Sequence, residues 1–436
     1  MFNKALVRGI ILCCCLCNVK LASAEANINA AQADTLQLNL KQVEKIFLDK
    51  NLQLLAQHYD IEASKALIQQ AKLWDNPVLN TDQNVYSNKR YFEHGIDANG
   101  QPIGQYYVQL EQLIKTAGKR GKEIKLAQTN AQISQLQFND LLRNLRLELR
   151  STFYQIVQLQ NIQQLYIDQK VQLEKLRAGM DGQYKAGNVA MKDLLRVQAL
   201  AISTQQEAVE NDKALNDAEA QLKVLLQMGG STYIKPIVAA TDYSINIPAK
   251  NENELVDLAK QNNDAYQLQQ MQLIYQQQNL SLQKAMAVPD FTVGPNFDKN
   301  SNYTANYVGM GISFPLPLLN RNQGNIKVAR MQVKQGEANL SQAEVQLQND
   351  LSSAYKKLQY TLQLSATDQD DFYTDYNKLY ESVLQSYKQR QLSLIEFIDY
   401  FDAYKDIKQK QLQQQLNIQL AKEELNYITG TDVFNQ

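Results

Sequence analysis

The sequence predicts a mainly α-helical chain with a small β part, built as two tandem copies of one unit: a helix, two strands and a long antiparallel helical hairpin. Three observations lead there. Motifs recur between the halves: Tyr184-Lys185 returns as Tyr387-Lys388, Asp193 as Glu396, Glu148-Leu149 as Asp350-Leu351, Pro77 as Pro289 and Gly229 as Gly430. Apolar residues step by threes and fours over long proline-free stretches, the mark of coiled-coil helices. Four tracts too rich in Asn, Thr, Tyr and Gly for helix interrupt those stretches at matched places. Each half spans roughly two hundred residues, which makes this a duplicated domain rather than a solenoid.

Residues 1–24 of the 436 read as a signal peptide: Lys4 and Arg8, then apolar Ile10 to Val19, then Ala22-Ser23-Ala24 as cleavage site. All four cysteines (Cys13, Cys14, Cys15, Cys17) fall inside it. The rest of the chain then has no disulfide, no thiolate metal site and no cysteine nucleophile. A lipid anchor on one of these cysteines is the alternative, but Leu12 and Leu16 are poor residues before a lipoprotein cleavage site. Without the leader, 41 basic residues face 45 acidic ones, a net charge of about −4 that leaves no footprint for nucleic acid. Mean hydropathy is −0.43, and nothing after residue 24 reads as a transmembrane helix. If the chain crosses a membrane, it does so as a closed β-barrel.

The remaining chain divides into a first unit at 25–230, a linker or equatorial region at 231–251, a second unit at 252–430 and a tail at 431–436. The first helix of each unit runs from Leu40 to Leu73 and from Glu252 to Ala287. Strands follow at Val78–Ser87 and Gly104–Leu113, then at Phe291–Phe297 and Tyr303–Phe314, with Pro77, Pro289, Pro315 and Pro317 at the joints. In the hairpins, Phe138, Leu142, Leu145, Leu149, Thr152, Ile156 and Leu159 make one seam; Leu347, Leu351, Ala354 and Leu358 make its match. Leu215, Ala218, Leu222 and Leu225 line the returning helix. From Lys122 to Gly179 alone the rod reaches about 87 Å. A compact enzyme has no use for a polar rod of that length.

Tyr303, Ala305, Tyr307, Gly309 and Gly311 alternate with Thr304, Asn306, Val308, Met310 and Ile312, over the length a tilted strand needs to cross a bilayer. Tyr86, Tyr106, Tyr107, Phe291, Phe297 and Phe314 stand at or near strand ends, as interfacial belts require. Four strands cannot close a barrel, and lipid tolerates no open edge, so several chains must pool their strands. A soluble hairpin would show the same alternation.

The repeat, the element order and two turn motifs together resemble the TolC family of outer-membrane efflux proteins. The motifs are Tyr184-Lys185-Ala186-Gly187-Asn188-Val189 with Asp193-Leu194-Leu195, and Tyr387-Lys388-Gln389-Arg390-Gln391-Leu392 with Glu396-Phe397-Ile398-Asp399. Lys119-Arg120-Gly121-Lys122 and Leu319-Asn320-Arg321-Asn322-Gln323-Gly324 look like the family's barrel-to-helix transition. Ser393 to Tyr400 looks most like its heavy-metal (CzcC/CusC-like) branch. The resemblance implies a homotrimer: a twelve-stranded barrel in the outer membrane of a Gram-negative bacterium above a periplasmic tunnel of twelve helices. It implies a passive duct, with a periplasmic adaptor and an inner-membrane RND-type transporter as partners. Gly187, Asn188, Val189, Arg390, Gln391 and Leu392 would be the adaptor-docking tips. Glu396 and Asp399 would ring the entrance, with Tyr387 and Asp193 as restraints. Arg390, where the first tip has glycine, departs from the family pattern.

The bland reading of Glu396 and Asp399 is two solvated acids near a helix start. His58 and His94 are unpaired, Met180, Met191 and Met228 read as packing, and Asp368, Asp370 and Asp371 crowd too tightly for one face. No nucleotide loop, zinc-protease motif or nucleophile–base pair is present, so neither enzyme activity nor a metal or organic cofactor is expected. Two readings stay open beside a metal-cation duct. One is the same channel carrying drugs or a type I secreted polypeptide. The other is a periplasmic coiled-coil adaptor or scaffold, which would carry a single hairpin flanked by Gly- and Val-rich strands.

Overall fold

The computed structural model describes residues 35–87, 89–238, 251–301, 304–365 and 369–434. The predicted leader, residues 239–250 of the predicted linker, and Asp368 lie outside them. Strand β1 (Thr35–Leu38) leads into α1 (Leu40–Lys50) and α2 (Leu52–Lys72). The single helix expected from Leu40 to Leu73 is therefore two, because Asn51 takes an extended conformation and caps the second. Its side-chain oxygen accepts from the N–H groups of Gln53 and Leu54, while its Nδ2 donates to the Leu225 carbonyl at 3.1 Å. The second unit repeats this. α5 (Glu252–Asn262) and α6 (Asp264–Met286) part at Asn263, which caps Tyr266 and donates to the Ile428 carbonyl at 2.9 Å. Asn39 and Asn251 close capping boxes at the starts of α1 and α5.

After α2 come β2 (Val78–Gln83), two small hairpins β3 (Tyr86–Ser87) with β4 (Arg90–Tyr91) and β5 (Gly95–Ile96) with β6 (Pro102–Ile103), and β7 (Tyr106–Ile114). The long hairpin is α3 (Lys119–Lys185) and α4 (Met191–Leu226); at 67 residues, α3 is about 100 Å long. A short β8 (Tyr233–Pro236) inside the predicted linker pairs in parallel with β1. Four residues ending in proline give too little alternation to be read as a strand. In the second unit β9 (Phe291–Asn300) and β10 (Ala305–Ser313) precede α7 (Gln323–Ser365), α8 (Gln369–Lys388) and α9 (Leu394–Thr429). Among the described residues no helix is long and apolar enough to cross a membrane.

The seams are where the spacing put them. Leu145, Leu149, Thr152, Ile156 and Leu159 are buried with Leu215, Leu222 and Leu225, under Val43 and Phe47 of α1. Leu347, Leu351, Ala354 and Leu358 are buried with Leu425 and Ile428, under Leu255 and Ala259 of α5. Val433 of the tail closes that second core. Arg150 ties the units together, donating to Glu44 of α1 and to Glu423 of α9 at 2.7 Å.

The four long strands form one antiparallel sheet in the order β2–β7–β9–β10. Its register separates two chemistries. One row runs Thr81, Val108, Phe297, Val308. Rows on the opposite face run Asn80, Gln109, Asn296, Gly309 and Asp82, Tyr107, Asp298, Tyr307. Val308, Met310 and Ile312, on the apolar face, are each at least 66% exposed. β9 continues to Asn300, so Phe297 lies within the strand instead of at its end, and Tyr107 faces the polar side. Among the described residues, β2 and β10 are the edge strands, with no strand paired on their outer sides.

The helices above the sheet follow the same order: α2 beside α3, α3 beside α6, α6 beside α7. At the joint Lys119 is only 3% exposed, and its ammonium meets Asp290 at 2.7 Å and the Val288 carbonyl at 2.6 Å. Thr116 donates to the Pro289 carbonyl, and its backbone N–H donates to Asp290.

Asn51 and Asn263 each serve as helix cap and as partner to a buried carbonyl. Replacing Asn51 with Ala removes a cap worth about 1 kcal/mol and strands the Leu225 carbonyl at a further cost of about 1 kcal/mol or more. The Asn51→Ala protein should unfold several degrees lower on a thermal melt, and Asn263→Ala likewise. An unchanged midpoint in both would show that the breaks carry no stability.

Candidate functional site

The candidate site lies at the end of the hairpins farthest from the sheet, where two turns built alike meet. In the first, the N–H of Gly187 donates to Tyr184 and that of Asn188 to Gln183, both at 2.9 Å. In the second, Arg390 donates to Tyr387 at 3.0 Å and Gln391 to Ser386 at 2.9 Å. These bonds close a helix by turning one residue left-handed. That residue is Gly187 in one tip, with φ 76°, and Arg390 in the other, with φ 62°. Arginine there accepts a strain that glycine avoids. Its guanidinium reaches across to Gln183 at 3.2 Å, so the two tips touch. Gly187, Asn188, Arg390 and Gln391 are exposed. Val189 turns inward onto the cluster of Met180, Leu194 and Val197, and Leu392 onto the aromatic cluster of Phe397 and Phe401.

That cluster joins the hairpins. Tyr387 stacks on Phe397 at 4.7 Å, Phe397 meets Phe401 at 5.8 Å, and Leu173 of α3 is buried among them. The Tyr387 hydroxyl lies 3.8 Å from the Met180 sulfur. Burial, with the Asp193 carboxylate nearby, pushes the Tyr387 phenol above the usual tyrosine range. Tyr387 and Asp193, from different hairpins, are therefore brought together.

Glu396 is exposed and occupied. Its carboxylate accepts from the backbone N–H of Ser393 at 2.9 Å and from the Ser393 hydroxyl at 2.7 Å, closing a capping box at the start of α9. Those bonds hold its pKa below the usual glutamate range. Asp193, the matching residue of α4, has no such cap to serve, since Ala190 stands where Ser393 does. Asp399 is exposed one turn beyond Glu396. No three His, Cys, Asp or Glu residues converge on a point where a metal could sit among the described residues.

One layer farther up lies a polar knot that no motif announced. Lys405 of α9 meets Glu207 of α4 at 3.0 Å; Tyr166 of α3 donates to Glu207 at 3.3 Å and accepts from Gln409 at 2.7 Å. Burial, reinforced by Glu207, pushes the Tyr166 phenol up to about 12. Burial alone would lower Lys405, but Glu207 and Asp402 outweigh it and hold the ammonium above the usual lysine range. The only signal in the sequence was a break in the apolar seam.

Residues 43–227 match the family model described as outer membrane efflux protein. Among characterised proteins, the chain is similar to the cobalt-zinc-cadmium resistance protein CzcC of Cupriavidus metallidurans: 19% identical over 322 residues, 74% of this chain and 73% of that one. Of solved structures, CusC superposes with a TM-score of 0.71 at 15% identity, over 90% of this chain and 92% of that one. The outer-membrane channel OprN gives 0.70 at 13%, over 89% of each. VceC from Vibrio cholerae gives 0.69 at 12%, over 90% and 96%. At these identities the likeness is one of fold.

The knot has a pH signature. Both Lys405 and Tyr166 bind their protons more tightly in the fold than in the free chain. Their stabilisation is complete below about pH 10 and is lost as pH rises through the folded values. The melting temperature should fall between about pH 10 and 12, and Tyr166→Phe should flatten part of that fall. A Tyr166→Phe profile superimposable on wild type would remove Tyr166 from the knot.

Proposed function

We infer that this chain, an outer-membrane efflux protein of the TolC family, forms the trimeric exit duct of a tripartite pump. The observation that carries this is the sheet. It has an apolar face, a polar face and two free edges, so it can be stable in lipid only as part of a closed ring. Three copies give twelve strands, with the polar rows of Asp82, Tyr107, Asp298 and Tyr307 turned to the lumen. The hairpins hang from that ring by about 100 Å of α3, a length suited to the periplasm. A wide aqueous duct need not bind what it passes.

The paired tips are the surface offered to a periplasmic adaptor, behind which stands an inner-membrane transporter. Glu396 and Asp399 supply six carboxylates around a threefold axis, an entrance that attracts cations. Glu396 has two tasks there, since the same carboxylate caps α9. Gln also completes a capping box, so Glu396→Gln with Asp399→Asn removes the charge and keeps the helix start. In planar bilayers the purified trimer should conduct and be blocked by divalent cations from the tip side. The double variant should conduct with block weakened at least tenfold. A chain that forms no conductance and migrates as a heat-insensitive monomer would end the channel reading; unchanged block would end the ring assignment.

Metal cations are the favoured cargo, on the similarity to CzcC and on the acidic mouth. Deleting this gene in a strain with its pump intact should raise cellular zinc, cobalt or cadmium several-fold at growth-limiting metal. Unchanged metal content with heightened sensitivity to drugs would transfer the duct to the other cargo class.

A further inference from the structure

The duplication makes a prediction about the joint between protomers, and it rests on the trimeric reading above. Ile124-Lys125-Leu126-Ala127 at the start of α3 returns as Ile326-Lys327-Val328-Ala329 at the start of α7. Pro77 before β2 returns as Pro289 before β9. A similar contact recurs one residue out of step: Arg120 donates to the Lys72 carbonyl, and its counterpart Asn322 donates to the carbonyl of Gln283, the residue before Lys284. Thr116 then corresponds to Leu318, and Asp290 to Val78.

Inside one chain, the joint after β7 packs against the joint before β9, and Thr116 touches Asp290 at 3.3 Å. The corresponding halves, after β10 and before β2, lie on opposite flanks of the protomer because those strands are the two sheet edges. Both halves expose apolar side chains. Leu318 is 70% and Val78 55% exposed, and Trp74, four residues before Val78, is 61% exposed although the Arg120 guanidinium lies over its ring at 4.4 Å. The helices agree. Leu126 and Thr129 of α3 are buried, with Thr129 bonded to Gln278 of α6, whereas their counterparts Val328 and Met331 on α7 are 56% and 47% exposed. Charges also match in level. Asp60 on α2 and Lys334 on α7 each stand about 17 Å along the helix from its sheet end. Pro315 and Pro317 lack the N–H groups that would carry strand pairing past Ser313, so side chains must take over there.

We propose that the protomer–protomer joint copies the internal one with its polar latch replaced by an apolar clasp: Leu318 of one protomer seats on Val78 of the next, beside Trp74. A second copy of the chain, and not lipid, covers this surface. Each protomer lends one half of the joint and receives the other, a head-to-tail contact that closes into a ring.

All cysteines of the chain lie in residues 13–17, so engineered pairs can be read without background. Val78→Cys with Leu318→Cys, oxidised in isolated membranes, should give covalent dimers and trimers on a denaturing gel, while each single variant stays monomeric. Trp74 is the only tryptophan. In wild-type trimers reconstituted with brominated phospholipid, its fluorescence should be quenched less than twofold. An intact heat-modifiable trimer without cross-links, or with Trp74 quenched severalfold, would hand the surface to lipid and overturn the clasp while leaving the channel standing. Absence of any trimer would overturn both.

Discussion

The structure depends on an edge. A strand in hydrocarbon must have both rows of its backbone groups paired, because an unpaired N–H or C=O there costs several kcal/mol. One protomer supplies four strands and leaves β2 and β10 each half satisfied. In the proposed trimer, identical neighbours complete the sheet. The apolar row through Val308 and the polar row through Tyr307 are in phase across all four strands. A one-residue slip at a shared edge would turn lipid-facing side chains into the lumen. Pairing between protomers is thus specified by the same alternation that sets pairing within one.

Much of this was legible. The steps of three and four in α3, α4 and α7 named residues that are buried, because a two-helix contact needs one stripe and leaves the rest wet. The turn motifs fell on the two tips. Other features escaped for physical reasons. Asn51 and Asn263 sit inside good helical periodicity, and an asparagine becomes a break only when a distant carbonyl, Leu225 or Ile428, holds its side chain. β8 is a strand only because β1 pairs with it. Lys119, quoted as part of a motif, reads from sequence as one more solvated lysine, and its burial depends on Asp290, 171 residues away.

At the tips the sequence located the turns but not how their residues are held. Glu396 and Asp399 share a helix face, yet Glu396 is also held by Ser393. A capping carboxylate and a pore-lining carboxylate are compatible, since the cap uses one oxygen and leaves the charge. The cap also fixes where that charge stands, which a solvated side chain could not do. Tyr387 stacks on Phe397 within the second hairpin and reaches Met180 of the first, so the hairpin that carries these acids is packed against its neighbour.

The chain keeps its internal symmetry in some places and abandons it in others, and the division is informative. Asn39 and Asn251 close the same capping box in each unit, and Asn51 and Asn263 do identical work, each capping a helix and holding a buried carbonyl. At the tips Gly187 faces Arg390, Ala190 faces Ser393 and Asp193 faces Glu396. At the sheet joint Thr116 faces Leu318 and Asp290 faces Val78. A polar latch such as Lys119 with Asp290 can form within a single chain as it folds. Surfaces that must first find another copy gain more from apolar area, which needs no prior desolvation of charge. Two copies of one unit thus become unlike at the tips and at the flanks of the sheet, the places where the proposed assembly would make each meet something other than itself.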